Sequence, residues 1–225
     1  MVRIDCRLKS VMDINREIRT WAEQGETEVC LENPDGRHNL AVGILTPVHV
    51  IVEGTAGYYC GGLCDGVHLT VHGDTGWGLG ENLMSGEIVV AGNAGSAAGA
   101  SMRGGMIRVE GDAGPRAGIS MKGGILVIGG SVGAMSGFMM QKGTMIIGGD
   151  ADDGLGDSMY EGVILIAGKI GALGSDAIVT EPKPEDLELI QKAGMDAGLE
   201  WKRIESGRKL WHFNKKEWDV WKVAL

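Results

Sequence analysis

Apolar residues recur in pairs two positions apart along most of the chain: Val50/Val52, Leu69/Val71, Ile88/Val90, Ile107/Val109, Leu126/Ile128, Met145/Ile147 and Ile164/Ile166. Alternation with period 2, rich in β-branched side chains, predicts short strands with one buried face. Two residues after each pair stands a glycine, giving Gly54, Gly73, Gly92, Gly111, Gly130, Gly149 and Gly168, each 19 residues beyond the last. Counting from these leading glycines, others follow three residues on (Gly57, Gly76, Gly95, Gly114, Gly133, Gly171) and seven residues on (Gly61, Gly80, Gly99, Gly118, Gly137, Gly156). Ten residues on, Cys64, Leu83, Met102, Met121, Met140 and Met159 form a second apolar column, read as an interior ladder.

A constant period near 20 is the mark of stacked structural units. Helical units are excluded, because each glycine inside a helix costs about 1 kcal/mol relative to alanine. A coil of strand, turn, strand and turn fits, with successive coils stacked at about 4.8 Å, so six steps make a prism roughly 30 Å long. Constant spacing is itself evidence for a stacked sheet, since one inserted residue would turn an inward face outward. The stretch GDAGPRAGISMKGG (111–124) resembles a phosphate loop when read alone, but such a loop occurs once per domain, between a strand and a helix. Here the pattern returns in every unit. The expected fold is therefore all-β: a parallel β-helix (solenoid) of about seven 19-residue coils over residues 46–178, without a separate second domain.

Both ends of such a stack need covering. Residues 1–45 are expected to form a helix and lead-in strands that cap the solenoid. In SVMDINREIRTWAEQG (10–25), Ser10 can cap a helix whose apolar stripe holds Met12, Ile14, Ile18 and Trp21, ended by Gly25. Residues 179–225 are expected to form a C-terminal helix, PEDLELIQKAGMDAG (184–198), and an aromatic tail carrying Trp201, Trp211, Trp218 and Trp221.

Composition narrows the function. A formal net charge of −9 argues against a nucleic-acid or anionic-membrane partner. No apolar run approaches the roughly 18 residues of a membrane span, and MVRIDCRLKS lacks a signal-peptide core, so a cytoplasmic location is expected. Four cysteines, Cys6, Cys30, Cys60 and Cys64, make no disulfide framework and no CxxC pair, which disfavours a zinc or cluster site.

The columns created by stacking supply the candidate chemistry. Asp74, Asn93, Asp112, Ser131 and Asp150 follow the leading glycines and are read as caps of turn amides rather than as a cation ladder. His49 stacks on His68 and Glu53 on His72, a set read as surface hydrogen bonding because no further ligand is fixed by spacing. Arg103 and Lys122 stack as like charges and so require an exposed edge. One corner is unusual: Tyr58, Tyr59 and Trp77 stand where other coils carry Ser96, Ala97, Pro115 or Gly154. Exposed aromatics where glycine would suffice point to a docking surface, with packing by the N-terminal segment as the competing reading. The partner interface is thus expected at Tyr58, Tyr59 and Trp77, with Trp211, Trp218 and Trp221 of the tail. No catalytic, cofactor-binding or metal-ligating residue is assigned.

The repeat resembles the "GXGXG" β-helix domain at the carboxy terminus of glutamate synthase large subunits and, more distantly, the β-helical chain of formylmethanofuran dehydrogenase. Among free-standing chains it is most similar to the small GXGXG subunits of N-methylglutamate synthases (methylamine–glutamate N-methyltransferases). The segments GYYCGG, ENLMSG, GISMKG, GAMSGFM and GLGDSMYEG carry the likeness, with GRKLWHFN near the end. The resemblance implies a right-handed β-helix that serves as a scaffolding subunit of a multi-subunit enzyme. It further implies partner chains: a class II glutamine-amidotransferase-like subunit, and an FMN-binding, glutamate-synthase-like subunit with an iron–sulfur cluster. Val2 follows Met1 and Cys6 is internal, so the amidotransferase nucleophile is expected on another chain. An ammonia-using glutamate synthase, or an independent β-helical binding protein, is the alternative reading.

Overall fold

The computed structural model describes residues 1–207. Eleven strands form one sheet. They are β1 (Val2–Asp5), β2 (Glu28–Glu32), β3 (His49–Val52), β4 (Asp65–Val71), β5 (Ser85–Val90), β6 (Met106–Val109), β7 (Lys122–Ile128), β8 (Lys142–Ile147), β9 (Val163–Ile166), β10 (Ala177–Thr180) and β11 (Lys202–Ser206). β1 to β9 lie side by side in chain order and pair in parallel, and β11 then inserts between β9 and β10. From β3 to β9 the partners are 19 positions apart, as in His49–His68, Ile88–Ile107 and Leu126–Met145, except where the register shifts at the starts of β4 and β7 (Asp65–Ser85 and Lys122–Lys142). That register makes the chain a β-solenoid of about seven turns. A second wall is tied by single parallel bridges running Ala56, Thr75, Ala94, Ala113, Val132, Ala151 and Ile170.

The apolar pairs point inward. Val50, Val52, Leu69, Val71, Ile88, Val90 and their successors through Ile166 are buried, and Met102, Met121, Met140 and Met159 fill the space between them. One continuous cluster results, so side chains occupy the axis of the prism. Each such side chain contributes about 1.5–3 kcal/mol by leaving water.

The glycines divide into two kinds. The seventh-position set does turn corners: Gly61 has φ +68°, and a methyl group there would sit 2.8 Å from both Leu69 Cδ2 and Ile88 Cδ1. The leading and third-position glycines act differently. A methyl group on Gly73 would lie 2.8 Å from the Gly54 carbonyl carbon, and one on Gly114 would lie 2.8 Å from the Ser96 nitrogen. They are small because the preceding coil stacks against them. Positive φ also falls on ordinary residues such as Ala97, Arg116, Ser101 and Ser120, whose side chains have room outside.

The polar column beside the leading glycines is a hydrogen-bond ladder. Asp74 Oδ1 accepts from the Asn93 amide at 2.7 Å, Asn93 Oδ1 from the Asp112 amide at 2.9 Å, and Asp112 Oδ1 from the Ser131 amide at 2.7 Å. Ser131 Oγ and Asp150 Oδ1 continue it at 3.0 and 2.7 Å. These side chains cap amides, but of the following coil rather than of their own turn.

At the N-terminal end, α1 (Val11–Glu23) lies over the open interior, with Ser10 accepting from the Asp13 amide at 3.2 Å. Ile14, Ile18 and Ala22 are its buried stripe and Trp21 is partly buried, whereas Met12 is 65% exposed. Met12 therefore leaves the expected stripe, because it lies roughly 200° around the helix from Ile14. Asn15, also buried, donates to the Asn39 carbonyl at 2.7 Å and accepts from the Val42 amide at 3.2 Å. It thereby holds residues 33–48, which run as a further coil: the Gly57 amide donates to Arg37 O at 2.8 Å and the Gly61 amide to Leu40 O at 3.0 Å. The β2–β3 register of Val29 with Val50 makes this coil two residues longer than the rest.

At the other end, α2 (Pro184–Lys192) and Trp201 cover the outer face of the sheet, packing Ile190 against Val127, Ile146 and Leu165. β11 is antiparallel to both neighbours, so the parallel stack stops there. Arg203 donates to both carboxylate oxygens of Asp186 at 2.7 Å, pinning β11 to α2 in a nearly dry site.

Candidate functional site

The aromatic corner is built by the stacking of coils. Rings four residues beyond a leading glycine are brought one above another, and His38 of the longer first coil joins them. The His38 and Tyr58 ring centroids are 4.2 Å apart at 11°, and those of Tyr58 and Trp77 5.3 Å apart at 16°. The Tyr58 amide also donates to His38 Nδ1 at 2.9 Å, which fixes the imidazole. Each ring leans onto the third-position glycine of the next coil: a methyl group would lie 2.5 Å from Tyr58 Cδ1 on Gly76, and 2.8 Å from Trp77 Cδ1 on Gly95. Tyr59 covers Gly78 in the same way. Despite this support Tyr58, Tyr59 and Trp77 stay 40%, 46% and 56% exposed.

Two clefts flank Tyr59. One of about 260 Å³ is lined by Asn39, Val42, Leu63 and Asn82. The other, about 310 Å³, is lined by Trp77, Ser96 and Pro115 with Glu81 and Arg116. A corner that is apolar, pre-stacked and polar-rimmed has the make-up of a docking patch. Within the N-terminal segment, α1 joins the core cluster at the end of the prism, while His38 and Asn39 reach the corner itself, so the competing reading of packing by that segment holds in part. His38 was missed by sequence reasoning because the first coil does not keep the 19-residue spacing. The signal for it was the aromatic neighbour one coil on.

The other candidates are placed as follows. His49 and His68 are cross-strand neighbours lining an open cleft of about 320 Å³ with Thr70 and Glu87. His49 Nε2 hydrogen-bonds Thr70 Oγ1 at 2.9 Å, and His72 Nδ1 meets Glu53 Oε2 at 2.9 Å. Among the described residues no group of three or more histidine, cysteine or acidic side chains is arranged to hold a metal. All four cysteines are free and buried. Burial pushes the Cys60 thiol up to about 12 and those of Cys64 and Cys6 to about 11, which suppresses the nucleophilic thiolate. Arg103 is exposed, while Lys122 pairs across the sheet with Lys142. Trp211, Trp218 and Trp221 lie outside the described residues. Among the described residues no helix is long and apolar enough to cross a membrane.

No family model matches the chain. A stretch of 65 residues is 43% identical to Protein GlxC of Rhizobium meliloti (strain 1021). The match covers 28% of this chain and spans 28% of that relative's length.

Proposed function

We propose that this chain is a scaffolding subunit of a glutamate-synthase-type enzyme complex, without catalytic residues of its own. In its most specific form the complex is N-methylglutamate synthase, which converts methylamine and glutamate to N-methylglutamate and ammonia. The partners under this reading are the amidotransferase-like chain and the FMN and iron–sulfur chain, which hold the chemistry. The observation that carries the reading is the exposed ring stack on a rigid, filled prism: a surface built for contact, on a body built to keep distances fixed. The GXGXG pattern and the local likeness to Protein GlxC support the coarser, glutamate-synthase-like level. Because side chains fill the axis, any route for ammonia or methylamine runs outside the prism, between this chain and a partner.

Affinity purification of the chain from its host, with mass spectrometry and an absorbance spectrum, tests this. Co-eluting amidotransferase-like and flavin-bearing chains are expected, and turnover with methylamine against ammonia then separates the two synthase types. A colourless chain eluting alone would overturn the proposal.

A further inference from the structure

The aromatic stack is interrupted one step before it would be complete. Its column continues from His38, Tyr58 and Trp77 to Ser96 and then Pro115. Each ring leans onto the glycine of the following coil, and Pro115 does so too, with its Cδ 2.8 Å from where a methyl group on Gly133 would stand. Between Trp77 and Pro115, Ser96 brings no ring, and beside Gly114 the nearest atoms are the backbone of Gly95 and Ser96. Trp77 and Pro115 are two coils apart, roughly 9.6 Å along the stack. A planar group midway would be about 4.8 Å from each, between the 4.2 and 5.3 Å spacings that the chain's own rings adopt. The cleft of about 310 Å³ between Trp77 and Pro115 is that vacant step.

Its rim identifies the occupant. Glu81 and Arg116 both line the cleft, from coils two steps apart, and neither has an ion-pair partner among the described residues. The two charges cancel, so a guanidinium would face Arg116 and a carboxylate would face Glu81. A neutral ring with a polar edge meets both: a phenol donates its hydrogen to a carboxylate and accepts from a guanidinium. Trp77 supplies the π face and Pro115 the apolar backstop.

We propose that the Ser96 step receives one tyrosine ring of a partner polypeptide, which completes the stack between Trp77 and Pro115. The proposal rests on the scaffolding reading above for the existence of a partner, while the slot itself is a property of this chain.

Two measurements test it. The first titrates the full-length ¹⁵N-labelled chain with N-acetyltyrosinamide, N-acetylleucinamide and N-acetylargininamide. Tyrosinamide is expected to shift the Ser96, Ala97 and Gly114 amides and the Trp77 indole, binding about 3- to 10-fold more tightly than leucinamide. Ser96→Trp, which fills the step with the chain's own ring, is expected to abolish those shifts while leaving the circular dichroism unchanged. Trp77→Ala, which removes one wall, should do the same if the first variant fails to fold. Leucinamide or argininamide binding as well as tyrosinamide, or shifts that survive in a folded variant, would overturn the proposal. The second measurement compares wild type and Ser96→Trp in co-purification with the flavin-bearing chain, where at least a tenfold loss of complex is expected. A complex that forms equally with the folded variant defeats the slot proposal and spares the scaffolding reading. Tyrosinamide binding without any complex defeats the scaffolding reading and not the slot.

Discussion

Two glycine-to-alanine substitutions separate backbone strain from packing in this fold. Gly61 and Gly25 both have positive φ, +68° and +91°. Alanine in that left-handed region costs about 1–2 kcal/mol, and loses slightly less unfolded-chain entropy, at either site. The sites differ in what the methyl group meets. At Gly25, after α1, nothing lies within 4 Å, whereas at Gly61 the methyl group is 2.8 Å from both Leu69 Cδ2 and Ile88 Cδ1. These two side chains belong to successive coils and are buried, so they yield only by repacking the interior. Overpacking of that kind costs about 1–3 kcal/mol. Gly25→Ala should therefore destabilise by about 1–2 kcal/mol and Gly61→Ala by about 2–5 kcal/mol. Urea unfolding of the two variants, compared with wild type at a common slope, reads the difference. If Gly61→Ala came within about 0.5 kcal/mol of Gly25→Ala, the seventh-position corner would not close onto the core, and the packing reasoning would be refuted.

Inserting one residue between Gly111 and Gly130 should prevent folding, because it breaks the 19-residue register on both sides, while the same insertion near residue 182, ahead of α2, should be tolerated; circular dichroism and yield report the contrast. Asp186→Ala leaves the nearly buried Arg203 guanidinium with Glu205, at 2.9 Å, as its remaining carboxylate and should cost about 1–3 kcal/mol. The loss should concentrate in α2 and β11, seen as faster amide exchange there with β3–β7 unchanged. The cysteines give a pH dependence: burial raises the folded thiols above the ordinary value of 9.0, so the folded chain holds more protons than the unfolded one at alkaline pH. Stability should be unaffected by these groups below about pH 9 and fall as pH rises toward 11 and beyond, by the sign of the linkage. In the same vein, a thiol reagent at pH 8 should label none of the four in the native chain and all four in urea.

Much of the fold was legible because stacking forces equivalent residues into columns, so period, strand faces and interior ladder were all written in one spacing. Ser10 and Gly25 likewise marked α1 by local chemistry alone. What escaped was set by contacts distant in sequence. The coil over residues 33–48 keeps the hydrogen bonds of its neighbours with two more residues, and so hid His38. The insertion of β11 between β9 and β10, with Arg203 meeting Asp186 of α2, is a pairing no repeat encodes. A signal for the cover on the outer face was present: GILVI, TMII and VILI are apolar at successive positions, as strands buried on both faces are, whereas VHLTV in β4 alternates with polar residues. For the candidate site, the sequence singled out Tyr58, Tyr59 and Trp77, but the stacked geometry and the vacant step at Ser96 required coordinates.

The most direct test of the central claim, that this chain contributes assembly rather than chemistry, is an omission experiment with the purified complex. Glutaminase-type hydrolysis and flavin reduction would be measured separately, and coupled formation of the amino-acid product measured alongside, with and without this chain. The separate half-reactions are expected to persist without it, and the coupled reaction to be lost and then return when the chain is added back. Half-reactions that vanish without it, or turnover by the chain alone, would contradict the claim.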